Sequence, residues 1–185
     1  GLTITNGQTT GTGGGIHSLN QKPLTILDSI ISSNDAHAGG GIVSNGTLTI
    51  KRSEIRDNKV HSSPGNGSYG GGVSIGSTTG TIEESTIAGN QALPDGNGGG
   101  IADESAKLDI INSTISGNLA VRGAAGDGVV AGNIGQAAGG GIETTTFLSL
   151  ASVTLANNRV TGGCCGNLEV KTGGALGANN TMIVE

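Results

Sequence analysis

The chain has 185 residues, a net charge of −5, 37 glycines and only two aromatic side chains, Tyr69 and Phe147. Its basic residues are scattered rather than gathered in a stripe, which argues against a nucleic-acid partner, and no apolar run approaches the roughly 20 residues of a membrane-spanning helix. The glycines lack the strict triplet period of collagen, and an ordinary aromatic-rich core is not available.

The chain opens on Gly1-Leu2-Thr3-Ile4, already inside a predicted strand and with neither an initiator Met nor a signal peptide. This reads as a processed or partial product of a longer precursor. After the first short segment, Leu2-Thr3-Ile4-Thr5-Asn6, one unit recurs from Gly13 to Asn34, Gly39 to Asn58, Gly70 to Asn90, Gly98 to Asn118 and Gly139 to Asn158. A partial copy follows, Gly173-Gly174-Ala175-Leu176 and then Met182-Ile183-Val184. Self-similarity at such a period is the mark of a solenoid.

Each unit reads as a glycine triplet with Ile or Val, then LxIxxSxIxxN. Leu24 to Asn34, Leu48 to Asn58, Gly80 to Asn90, Leu108 to Asn118 and Leu148 to Asn158 are all ten residues apart. From each Asn to the next glycine triplet, by contrast, there are 6, 4, 11, 7, 20 and 14 residues along the chain. One corner therefore varies in length while the rest does not. Within the fixed segment, apolar or small residues fall at offsets 0, 2, 5, 7 and 10. Two stretches of alternation with a break between them make two short strands and a bend, and the β-branched content suits strands. The segment after the glycine triplet supplies a third strand.

These spacings predict an all-β fold: a single-stranded parallel β-helix of about six to seven turns, with three short strands per turn. Parallel crossovers make it right-handed. Residues 1–185 read as one domain, with loop insertions 59–69, 91–97, 119–138 and 159–172 leaving one corner. Rungs stack at roughly 4.8 Å, so equivalent residues form columns. Ile26, Ile50, Ile82, Ile110 and Leu150 make one apolar column. Ile31, Ile55, Ile87, Ile115 and Leu155 make a second, and Ile16, Ile42, Val73, Ile101 and Ile142 a third. Ser29, Ser53, Ser85 and Ser113 stack as small inward residues, with Val153 after them. Asn34, Asn58, Asn90, Asn118 and Asn158 form an asparagine ladder, whose amides can bond to one another and to turn backbone.

GGG[IV] followed by a terminal IxxN resembles the repeats of polymorphic outer-membrane proteins, GGA[ILV] and FxxN, and of related bacterial surface β-helix domains. The resemblance covers nearly the whole chain. It implies the β-helix fold and an exported, surface-associated setting, and it carries no catalytic motif. Here Gly stands for the Ala of that family and Ile or Leu for its Phe.

Several side chains are candidates for chemistry. His37 and His61 each lie three residues past a ladder Asn, so two imidazoles stack near Asp35 and Asp57, an arrangement suited to a transition metal; without a third ligand they read equally as solvated loop residues. Asp28, Arg52, Glu84, Asn112 and Ser152 form one column, with Lys51 beside Glu83 in the next. Such groups serve acid–base chemistry in polysaccharide-cleaving β-helices, but alternating signs fit pairing between adjacent rungs better. Thr25, Thr49, Thr81, Asp109 and Ser149 make an outward hydroxyl column, the pattern of an ice-binding array or of plain strand surface. The loops 59–69 and 91–97 carry Pro64-Gly65-Asn66-Gly67 and Pro94-Asp95-Gly96-Asn97. They match no EF-hand, so Ca²⁺ competes with a simple turn, and the expectation is no cofactor. The insertion 119–138 includes Val121, Val129, Val130 and Ile134 and is expected to fold over the flank or to dock on another molecule, a surface glycan or a protein.

Asn66 is the favoured of four glycosylation sequons, because it lies in a loop; Asn112 reads as part of a strand. Cys164 and Cys165 are adjacent and admit two readings, free loop thiols or a disulfide, the latter suited to a secreted protein. No capping helix covers either end, so Leu2 and Ile4 at one end and Met182, Ile183 and Val184 at the other are candidate subunit interfaces. Together these features suggest a non-enzymatic, secreted, cell-surface structural or adhesive protein, joined end to end into a filament. The alternative is a secreted carbohydrate-active lyase or hydrolase.

Overall fold

The structure, a computed structural model, describes residues 1–61, 68–76, 79–94, 96–105, 107–121 and 139–161, and the backbone of three further strands, Leu168–Val170, Ala175–Asn179 and Met182–Val184. Among the described residues there is no helix, and the strand pairs are parallel. The chain is a parallel β-solenoid with three principal strands per turn, as the repeat predicts.

The first sheet has six strands, from Ile16–Ser18 to Leu168–Val170; the first five follow a glycine triplet and the last does not, since Ala175–Asn179, after Gly173-Gly174, pairs with Phe147–Ala151 in the second sheet instead of opening a new copy of the unit. The second, also of six, runs from Leu24–Leu27 to Ala175–Asn179, and the third, of seven, from Thr3–Thr5 to Met182–Val184. The register joins the expected columns directly: Ile26 to Ile50 to Ile82 to Ile110 to Leu150, and Ile31 to Ile55 to Ile87 to Ile115 to Leu155. Ile31, Ile55, Ile87, Ile115 and Leu155 are fully buried. Side chains alternate across a strand, so in the second and third sheets each turn sends branched residues inward and polar ones out, while the first sheet also buries polar side chains, Ser44, Asp103 and Thr144, in register with Ile75.

Two bends in each turn use left-handed backbone. The first is the column Asp28, Arg52, Glu84, Asn112 and Ser152, with φ of 50°, 47°, 50°, 48° and 56°. The second precedes each ladder asparagine: Ser33, Asp57, Gly89, Gly117 and Asn157, with φ from 55° to 65°. β-branched residues are absent from both columns, as this conformation requires. Each bend turns the next residue inward, a serine in four rungs and Val153 in the fifth at the first bend, and an asparagine at the second. The serines bond in series. The N–H groups of Ser29, Ser53 and Ser85 donate to the hydroxyl one rung on, each at 3.1 Å, and those hydroxyls donate back to the carbonyl two residues earlier in their own rung.

A fourth sheet was not expected. Asp35–Ala36, Lys59–His61, Gln91–Leu93, Leu119–Val121 and Arg159–Thr161 pair in parallel just after the ladder residues. The segments 59–69, 91–97, 119–138 and 159–172 therefore begin as strands, not as loop. Ala36, Val60, Ala92 and Ala120 are fully buried in this sheet and extend the core past the ladder. A further short pairing, Ser68–Tyr69 with Gly96–Asn97, continues through bridges to Ala38 and Thr12.

One rung repacks the core. Gly80 stands where the other rungs carry Leu48 and Leu108, while Ile75 stands in register with Ser44 and Asp103. A Cβ on Gly80 would lie 3.1 Å from Ile75 Cδ1 and 2.8 Å from Leu108 Cδ1, so Ile75 occupies the space that the absent leucine leaves. Gly80→Leu alone overpacks, at a cost of about 1–3 kcal/mol. Ile75→Ser alone opens a cavity worth about 2–4 kcal/mol. The double variant restores the pattern of its neighbours and should cost less than the sum by about 1–3 kcal/mol in urea denaturation; strict additivity would contradict the compensation.

Candidate functional site

The asparagine ladder holds the corner from which the fourth sheet departs. Asn58 donates from its backbone N–H and from Nδ2 to Asn90 Oδ1, both at 3.0 Å, and Asn90 does the same to Asn118 Oδ1 at 2.9 and 3.0 Å. Asn34 donates likewise to Asn58, and Asn118 to Asn158. Each Nδ2 also donates backwards, Asn58 to Ile31 O, Asn90 to Ile55 O, Asn118 to Ile87 O and Asn158 to Ile115 O, at 2.8–2.9 Å. One amide thus ties three rungs. In the first rung the ladder position belongs to Gly7, not Asn6: Gly7 N–H donates to Asn34 Oδ1 at 2.8 Å, and Asn6 takes the preceding bend with φ 60°.

The glycine triplets serve the same corner. The first glycine has positive φ, 63° at Gly70 and at Gly98. The third faces the ladder asparagine that ends its own turn: a Cβ on Gly72 would meet Asn90 Cγ and Nδ2 at 3.0 Å, and one on Gly100 would meet Asn118 at the same distance. The two ends of each turn therefore close on one another, backbone against amide.

Just past the ladder, the fourth sheet brings three titratable side chains together. Asp35 and Lys59 are register partners, and Ala36 pairs with Val60, so His37 and His61 follow side by side. Their rings are 5.5 Å apart between centroids and nearly perpendicular, at 85°. His61 Nδ1 lies 2.5 Å from Asp35 Oδ1. A cleft of about 340 Å³ opens beside them, lined by Gln8, Thr9, Thr10, Asp35 and His61. The segment 8–10 is fixed there by Thr9 N–H donating to Asp35 O and by the bridge of Gln8 with Asp35. Asp57, by contrast, pairs with Arg56 at 2.9 Å. Among the described residues, no group of three or more His, Cys, Asp and Glu side chains is placed to ligate one ion together.

The charged columns form pairs between rungs. Arg52 meets Asp28 in a fork, Nε to Oδ1 at 2.7 Å and Nη2 to Oδ2 at 2.9 Å, and this guanidinium holds the Asp28 carboxyl below its ordinary range. Lys51 Nζ lies 2.9 Å from Glu83 and 3.8 Å from Glu84. The register Thr25, Thr49, Thr81, Asp109 and Ser149 is confirmed, with Asp109 held by Lys107 at 2.8 Å. Asn112 sits in an exposed bend between Lys107–Ile111 and Thr114–Ser116 rather than in a strand, because the break after Ile111 demands left-handed backbone there.

At the amino-terminal end Leu2 is 71% exposed, and Ile4, Ile16 and Leu24 are only partly covered by the core. At the other end, Met182–Val184 pairs with Thr154–Ala156 as the outer strand of the third sheet; the side chains of Met182, Ile183 and Val184 lie outside the described residues. So do Asn66, Asp95, Cys164, Cys165 and most of the insertion 119–138. Comparisons of the chain with protein-family models, with curated proteins and with solved structures return no match.

Proposed function

We propose that this chain is a non-enzymatic structural or adhesive module of an extracellular cell surface, the setting that its resemblance to polymorphic outer-membrane repeats implies, and that its rungs continue by end-to-end stacking. The observation that carries the reading is the amino-terminal rung. Thr3–Thr5, Ile16–Ser18 and Leu24–Leu27 are the outer strands of their sheets on that side; Leu2 is exposed there, and Ile4, Ile16 and Leu24 are only partly covered, whereas the core residues of the following described rungs are buried. Sheet edges of this kind accept further strands in register, whether the added rung belongs to the same chain or to a second copy, and in end-to-end stacking it is the second copy's. The charged columns support the same reading, since the Asp28–Arg52 and Lys51–Glu83 pairs lock rungs together. The loop edge, from the cleft at His61 to the insertion 119–138, is the surface for a glycan or protein ligand.

Electron microscopy of the natively purified chain tests this. The expected result is rods joined into filaments with an axial repeat of about 30 Å, six to seven strand spacings, and single short rods from an Ile4→Lys variant. Single rods from the unchanged chain would remove the stacking. Cleavage of a polysaccharide that disappears in Arg52→Ala or Glu84→Ala would replace the structural reading with the enzymatic one.

A further inference from the structure

We propose that the Asp35–His37–His61 corner binds a divalent transition metal, with His37 and His61 as imidazole ligands and Asp35 as the group that orients His61. Three observations carry this. Two imidazoles sharing a tetrahedral ion, each nitrogen about 2.0–2.1 Å from the metal, have centroids about 5 Å apart; the pair here is at 5.5 Å with rings nearly perpendicular, so the separation suits one shared ion once side-chain rotation turns a nitrogen of each ring toward it. The Asp35 carboxylate takes the Nδ1 side of His61 at 2.5 Å. That contact fixes the Nδ1–H tautomer and leaves the Nε2 lone pair for a metal, the usual carboxylate–imidazole arrangement behind a metal ligand. The carboxylate also contributes negative potential where a cation would sit. Finally, the cleft at Asp35 and His61 gives entry from solvent and hydroxyl and amide groups, from Thr9, Thr10 and Gln8, for bound water.

The ligand type selects the metal. Imidazole suits Cu²⁺, Ni²⁺ and Zn²⁺, whereas Ca²⁺ and Mg²⁺ take oxygen. Because no third such ligand joins the two histidines among the described residues, the remaining coordination positions go to water and the ion stays exchangeable. This inference does not depend on end-to-end stacking. The site is built within one chain, from adjacent rungs whose backbone the Asp35–Lys59 and Ala36–Val60 pairing holds rigid.

Isothermal titration of the full chain with Cu²⁺ and with Zn²⁺ tests the site. One saturable site per chain is expected, unaffected by excess Ca²⁺ or Mg²⁺. His37→Ala and His61→Ala should each abolish saturable binding, and Asp35→Asn should weaken it about 10- to 100-fold. His17→Ala is the control: His17 is bonded to Thr12 Oγ1 at 3.0 Å and should bind as the unchanged chain. A rise in melting temperature with added metal, absent in His37→Ala, gives a second readout. Absence of saturable binding by the unchanged chain, or binding by His37→Ala or His61→Ala as tight as that of the unchanged chain, would overturn the assignment; circular dichroism of each variant separates lost binding from lost folding.

Discussion

Replacing Asn90 by alanine is expected to cost the fold about 3–5 kcal/mol, because two buried donors lose their acceptor at once, at about 1–3 kcal/mol each. Those donors are the backbone N–H and Nδ2 of Asn58. Ile55 O loses a donor as well, and Asn118 Oδ1 keeps only one of its two. The loss should appear as a lowered midpoint in urea denaturation followed by far-ultraviolet circular dichroism. Asn90→Asp sharpens the test. It keeps an acceptor for Asn58 but turns the donor side into a second acceptor, facing Ile55 O and Asn118 Oδ1 with a buried charge. It should destabilise at least as strongly as alanine at neutral pH and recover part of the loss on acidification, when the carboxyl can donate. Asn34→Ala, one rung in from Gly7, should cost less, because among the described residues its Oδ1 accepts only the Gly7 N–H. A uniform, small effect at Asn34 and Asn90 would mean that the ladder is incidental to stability.

The second large effect separates two uses of glycine. Gly72→Ala is expected to lose about 2–4 kcal/mol or to prevent folding. The new Cβ would sit 2.7 Å from Gly100 O and 3.0 Å from the Asn90 amide, and neither backbone nor the doubly bonded amide can give way. Gly117→Asn should change stability by no more than about 0.5 kcal/mol. Gly117 has φ 63°, its nearest heavy atom would be 3.9 Å from a Cβ, and Asp57 and Asn157 already occupy that column in the same conformation. Thermal melts of the two variants side by side decide the matter: equal losses would show that backbone conformation, and not the closure of glycine against asparagine, governs these positions.

The core was readable because inward residues are large, branched and spaced without insertion: Ile26 to Leu150 and Ile31 to Leu155 can be lined up by eye and pair as the spacing requires. The fourth sheet escaped for a physical reason. Its single inward residue per rung is Ala36, Val60, Ala92, Ala120 or Val160, and alanine is no strand signal; only its constant place, two residues after each ladder Asn, gives it away. The bend column from Asp28 to Ser152 reads as charge chemistry in the sequence, yet its first constraint is left-handed backbone. The histidine pair was legible from equal offsets past Asn34 and Asn58. The cleft beside it was not, because it needs Gln8, Thr9 and Thr10, and aligning the first rung on Asn6 instead of Gly7 hides that those residues run beside Asp35.

The ladder amides all face the same way. Each Oδ1 from Asn58 to Asn158 accepts from the rung on its amino-terminal side, while each Nδ2 from Asn34 to Asn118 gives one hydrogen to the Oδ1 of the next rung and the other back to a carbonyl of the rung before. Aligned amides polarise one another, so the column from Asn34 to Asn158 acts as an axial dipole with its negative pole at the Gly7 end. Any rung added there must arrive donor-first, as the Gly7 N–H does; an inverted rung would bring oxygen against oxygen. The rod therefore has a chemical direction: the side of the ladder at Gly7 presents an acceptor, and a rung meeting it must present a donor.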